Sequence, residues 1–137
     1  MEIILATHNL DKCKEMQVSF NDTNIKIFTL KNFPEIDDIV EDGDTLEANA
    51  FIKSRTVFNK TGIPTISDDT GLFISALNGE PGIFSARYSG ENCSYMDNVN
   101  KVLIEMNNID KPLRKATFKT VVTYVRKDLE LVAEGSV

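Results

Sequence analysis

Histidine, cysteine, basic charge and long apolar runs are all scarce in this 137-residue sequence, and each scarcity excludes something. The single histidine, His8, has no partner set of serine and aspartate around it, so a Ser-His-Asp centre has no footing. The two cysteines, Cys13 and Cys93, stand far apart and in no metal-ligand spacing. They read as free thiols of a reducing compartment rather than as a disulfide framework. No apolar run approaches the roughly 20 residues of a membrane span. The start Met1-Glu2-Ile3-Ile4-Leu5-Ala6 also lacks the basic region of a signal peptide. A cytoplasmic location with no membrane partner is the expectation. Basic residues are outnumbered 15 to 21, for a net charge of −6. Such a surface repels a phosphate backbone, and no local basic patch offsets it, so nucleic acid is not an expected partner. A single nucleotide remains compatible where cations or a metal line its site. There is no GxGxxG, no P-loop, no repeat and no low-complexity segment.

What the chain does hold is 42% apolar residues in a length that suits one compact domain and is short for two. At this size roughly two-thirds of the unfolded surface is removed from water on folding. One domain over 1–137 is therefore expected.

The coarse pattern is alternating. Glu2–Ala6 reads as a buried strand, and Leu10–Phe20 as a helix with Leu10, Cys13, Met16 and Phe20 on one side. Ile25–Leu30 reads as a second strand, and the acidic stretch 31–44 as a loop. Thr45 caps a helix from Leu46 to about Lys60, stopped by Gly62-Ile63-Pro64. Thr65–Ser67 and Leu72–Leu77 read as two strands joined by an Asp68-Asp69-Thr70-Gly71 turn. A loop covers 78–93, and Ser94 caps a helix with the stripe Val99, Val102, Leu103 and Met106. Ala116–Arg126 and Leu129–Glu134 form a hairpin about Lys127-Asp128. The order β-α-β-α-β-β-α-β-β predicts an α/β domain with a mixed β-sheet and flanking helices. The last strand reads as an exposed sheet edge or as the point where a remainder is missing.

Three clusters carry candidate chemistry. Thr7-His8-Asn9-Leu10-Asp11-Lys12 lies between the first strand and the first helix. Unpaired N–H groups at the helix start suit a phosphate there, with Lys12 as a point charge. The same residues serve equally as an N-cap and a solvated lysine, with His8 lining the loop passively. Asp68-Asp69 places two like charges side by side, which makes sense where at least one binds a hard cation such as Mg2+. Glu41 or Glu47 can add a further oxygen. The alternative is an Asx-type turn with Gly71 at positive φ. Gly79–Tyr88 is a constrained loop in which Arg87 can neutralise phosphate; Phe84 or Tyr88 can border a base, with packing of both rings onto the sheet the favoured alternative.

Taken together the chain resembles one family, the inosine triphosphate pyrophosphatases, also called Ham1-like. The resemblance rests on Thr7-x-Asn9-x-x-Lys12, on Glu41-Asp42-Gly43-Asp44-Thr45 leading to Asn49-Ala50-x-x-Lys53, on Asp68-Asp69-Thr70-Gly71-Leu72, and on Pro81–Gly90. It implies an elongated α/β fold with a central cleft, acting as a Mg2+-dependent homodimer. The implied reaction is hydrolysis of nucleoside triphosphates, with ITP, dITP and XTP preferred, to the monophosphate and pyrophosphate. It further implies Asp69 as proton acceptor and metal ligand, with Glu41 or Asp68 as the second metal carboxylate. Thr7, His8, Asn9, Lys12, Lys53, Thr70 and Arg87 fall on the substrate side. His8 stands where the family usually has glycine, Ala48 replaces a frequent glutamate, and Thr70 replaces serine. The family's Phe-Gly-Tyr-Asp-Pro and Ser-His-Arg segments, which read the base, have no counterpart in the chain, so weak purine discrimination is expected. A catalytically impaired nucleotide-binding or dimerising remnant is the alternative. A Maf-like pyrophosphatase is disfavoured by the Thr-x-Asn-x-x-Lys loop.

Overall fold

The structure, a computed structural model, describes residues 1–137. Its elements follow in the order β1 (Glu2–Leu5), α1 (Leu10–Val18), β2 (Lys26–Thr29), α2 (Leu46–Thr61), β3 (Thr65–Ile74), β4 (Pro81–Gly82), α3 (Tyr95–Glu105), β5 (Ala116–Arg126) and β6 (Leu129–Ser136). The six strands make one sheet in the order β2-β1-β3-β5-β6, with β4 paired to β3. β1 runs parallel to both β2 and β3, whereas β4 is antiparallel to β3, so the sheet is mixed as expected. No helix is long and apolar enough to cross a membrane.

The chain forms two compact units, Met1–Asp69 with Val121–Ala133, and Thr70–Thr120 with Glu134–Val137. In the first, Ile4, Ala6, Leu30, Ile36 and Val57 form a buried cluster, with Phe28, Phe33, Ile39 and Ile63 packed on it. Its helices start and stop where side chains satisfy the end groups. Asn9 caps α1 by accepting from the Asp11 and Lys12 amides at 2.9 and 3.2 Å. Thr45 caps α2 through the Ala48 amide at 3.0 Å, and Gly62, at φ 69°, closes it. Of the expected α1 stripe only Cys13 is buried, and Leu10 is exposed. A buried polar pair, Ser54 Oγ and Thr123 Oγ1 at 2.9 Å, ties α2 to β5.

In the second unit, Ser94 and Asp97 form a capping box that starts α3. Its inner side is Met106 with the half-buried Val99 and Val102, while Leu103 faces out instead of completing the stripe. Phe118 and Val137 exchange both backbone hydrogen bonds, at 2.8 and 2.9 Å, so the ends of the hairpin are paired.

One local expectation fails. Asp68-Asp69-Thr70-Gly71 is not a turn between two strands; β3 runs unbroken from Thr65 to Ile74, and Ser75–Leu77 is a 3-10 turn. The ladder outweighs the turn preference of these residues, because Thr65 and Ile66 pair with β1 while Leu72 and Phe73 pair with β4. Gly71 accordingly does not adopt positive φ. Its missing side chain matters for another reason: a Cβ there would lie 2.5 Å from the Gly82 carbonyl oxygen.

Candidate active site

The parallel pairing of β1 with β3 sets the geometry. Leu5 lies opposite Ile66, and the Ala6 amide donates to the Ile66 carbonyl at 2.7 Å. Two residues further along each strand, this register brings Thr7 level with Asp68. Thr7 therefore lies past the carboxyl end of β1, where ligands bind in open α/β sheets, and Asp68, within β3, is level with it. From Thr7 the chain turns at once into α1. The Asn9 amide donates to Thr7 Oγ1 at 3.2 Å, and the Asn9 carboxamide oxygen takes two helix amides. The capping role foreseen for Asn9 is thus real, and it engages two of the N–H groups that a phosphate would use. A cavity of about 310 Å³ opens at this junction, with Thr7, His8, Cys13 and Lys31 in its wall. His8 is exposed, with Nε2 3.5 Å from the Asp38 carboxylate.

Lys12, one turn into α1, carries its ammonium to 2.6 Å from Asp68 Oδ2. Asp68 is 2% exposed, and its other oxygen, Oδ1, has no hydrogen-bond partner. An unsatisfied buried acceptor costs about 1–3 kcal/mol, more when charged, so an oxygen left in this state calls for an explanation such as a missing ligand. Asp69 follows in β3 and is half-buried. Cys13 also lies near Asp68. Burial pushes its thiol above the usual range and the Asp68 charge adds to this, with Lys31 opposing. Burial and the Asp68 charge thus both favour the protonated thiol over the thiolate.

A second lysine–carboxylate pair lies on α2. Lys53 Nζ is 2.5 Å from Glu41 Oε1, and the lysine side chain is only 14% exposed. Two turns of the same helix face bear on this pair, because Asn49, four residues earlier, is buried and accepts from the Gly43 amide at 2.8 Å. The sequence alone gives Asn49 no role beyond its place in Asn49-Ala50-x-x-Lys53. Its signal was a polar residue at an inward-facing helix position one turn before a candidate lysine.

Thr70 and Arg87 belong to the second unit. Thr70 Oγ1 shares a 2.9 Å hydrogen bond with Thr120 Oγ1. Arg87 is exposed, its guanidinium 5.3 Å from the Phe84 ring centre. Tyr88 is held more firmly: its hydroxyl bonds Glu80 at 2.9 Å and Glu105, and the Lys101 ammonium lies 4.0 Å over its ring and donates to its carbonyl. Burial and the two carboxylates push the Tyr88 hydroxyl well above its ordinary range, so it stays a donor. The packing role foreseen for Tyr88 fits this contact set.

The donor set suits a hard divalent cation in chemistry, being all carboxylate oxygen, and Asp68 Oδ1 is a buried oxygen awaiting a partner. Glu41, Asp68 and Asp69 are not gathered as a ready cage, since no three acidic, histidine or cysteine side chains form a metal-holding group. Mg2+ is commonly held by one or two carboxylates together with substrate phosphate oxygens, so these residues fit a cation that arrives with its substrate.

Fold and site define an α/β protein in which one lysine–carboxylate pair lies at the exit of a parallel strand and a second lies against α2. The sequence profile of the Ham1 family matches residues 3–137. The chain is 43% identical over 135 residues to the dITP/XTP pyrophosphatase of Thermoanaerobacter sp. (strain X514), covering 98% of this chain and 68% of that protein. It is 40% identical over 137 residues to the dITP/XTP pyrophosphatase of Caldanaerobacter subterraneus subsp. tengcongensis, again covering 98% and 68%. Among solved structures it is similar to the Ham1 protein of Staphylococcus aureus (TM-score 0.88, 36% identity, 100% of this chain and 70% of that one). The HAM1 protein from Coxiella burnetii gives a TM-score of 0.90 at 37% identity, over 99% and 70%. The chain belongs to the Ham1 family, and it spans 68% of the length of the Thermoanaerobacter relative.

Proposed function

We propose that this chain hydrolyses nucleoside triphosphates of the dITP and XTP type to the monophosphate and pyrophosphate, clearing non-standard purines from the nucleotide pool. The observation that carries the reading is the 2.6 Å contact of Lys12 with buried Asp68, whose second oxygen is left without a partner. It draws the β1–α1 loop and the aspartate pair into one place, as a triphosphate site requires. Asp69 takes the proton from the attacking water. Lys12 and Lys53 balance phosphate charge, and Thr7, His8 and Asn9 border the phosphates. Asp69 with Asp68 or Glu41 would hold Mg2+, which would supply positive charge for the pyrophosphate leaving group. Lys12 pairs with Asp68 and Lys53 with Glu41, and each lysine exchanges its carboxylate for phosphate when the triphosphate enters.

The test is pyrophosphate release from dITP with Mg2+, compared between the parent chain and Asp69→Asn. Release by the parent and its loss in the variant support the reading. Equal inertness with dITP still bound would leave the nucleotide-binding remnant instead. The family resemblance also carries a homodimer and a cytoplasmic location into this proposal, and sedimentation equilibrium checks the first.

A further inference from the structure

We propose that Asn49 is a positioning residue that tethers the acidic segment before α2, so that Glu41 rather than a neighbouring acid meets Lys53. The inference rests on the reading of Glu41 and Lys53 as part of the triphosphate site. The segment 35–44 carries six acids, Glu35, Asp37, Asp38, Glu41, Asp42 and Asp44, and residues 37–43 have no regular secondary structure. Mutual repulsion gives such a stretch no reason to present one particular carboxylate. The tether supplies it. Asn49 is 1% exposed, and a carboxamide buried in a helix is costly unless satisfied. Its Oδ1 accepts from the Gly43 amide at 2.8 Å, two residues from Glu41. Gly43 is pressed flat against α2: a Cβ there would stand 2.8 Å from both Ala48 Cβ and Asn49 Oδ1, neither of which sits at the end of a long flexible side chain. One helical turn further, Lys53 takes the Glu41 carboxylate at 2.5 Å. Backbone and side chain of the segment are thus fastened at two points on one helix face.

Asn49→Ala and Gly43→Ala attack the same contact from its two sides. In Asn49→Ala, amide hydrogen exchange at Gly43 rises at least tenfold while that of β1 is unchanged. Both variants raise the KM for dITP about tenfold with kcat within threefold of the parent, and the double variant is no worse than the worse single one, as expected for one shared contact. Unchanged exchange at Gly43, a KM within twofold of the parent in Gly43→Ala, or a fall in kcat at constant KM overturns the proposal. Should Asn49→Ala fail to fold, Gly43→Ala decides by its kinetics. Should the parent release no pyrophosphate, the functional reading fails, and the Gly43 amide still tests the tether.

Discussion

Two regions of the first unit each hold an ion pair of the same length, 2.6 Å, and the pairs have different meanings. Near the α2–hairpin surface, Arg55 binds Glu130 with two parallel hydrogen bonds, at 2.8 and 2.6 Å. Both side chains are 40–50% exposed, and every carboxylate oxygen is matched. Within β3, level with the exit of β1, Lys12 meets Asp68 through one oxygen only, with the acid buried and the other oxygen orphaned. Distance alone does not separate a structural pair from a functional one. Burial and incomplete satisfaction do, because an unmet buried acceptor is tolerated where a ligand supplies the partner. The exposed, fully matched pair contributes little and asks for nothing.

The largest expected effect tests the functional side of this contrast. Asp69→Asn lowers dITP turnover by about 10²–10⁴, the usual contribution of a general base, measured as pyrophosphate release. Next, Lys12→Met removes the cation from buried Asp68 and costs about 3 kcal/mol in urea unfolding, as breaking a buried pair does. Adding Asp68→Asn returns most of that stability without restoring activity. If Lys12→Met is as mild as Arg55→Met, the two pairs are equivalent and the contrast collapses. Gly71→Ala forces a Cβ against the Gly82 carbonyl and costs about 1–3 kcal/mol, read as a lowered Tm.

The smallest effect concerns the exposed pair and pH. The Arg55 hydrogen bonds hold the Glu130 carboxyl below its ordinary value of 4.5. A carboxyl that titrates lower in the folded than in the unfolded chain stabilises at pH above the ordinary value, and that stabilisation is lost as pH falls through the lowered one. Glu130→Gln therefore changes unfolding free energy by about 0.5 kcal/mol or less at neutral pH, and the difference vanishes in acid. A difference that grows in acid contradicts the pairing.

Much of the fold was legible because its signals are local. Asn9, Thr45 and Ser94 were readable as caps, Gly62-Ile63-Pro64 as a stop, and the Lys127-Asp128 turn as a hairpin, since each depends on residues within one turn of itself. The error at 68–71 has the opposite origin. Asp-Asp-Thr-Gly favours a turn by local chemistry, and the pairing of β3 with its neighbours, β1 before this stretch and β4 after it among them, keeps it extended. The reason for Gly71 likewise lies eleven residues away, in the carbonyl of Gly82.

The candidate site divides along the same line. Residue type and order were enough to nominate Lys12, Asp68, Asp69 and Glu41, because charge follows directly from residue identity, and the family resemblance added Lys53. Which lysine meets which carboxylate, which oxygen is left unmatched, and that Asn49 holds Gly43 were settled only by the parallel register of β1 with β3 and by the burial around α2. Residue identity fixes what a side chain can donate or accept. Partners remote in the chain meet only when the sheet and helices close, and then water is excluded and each unmet group acquires its cost.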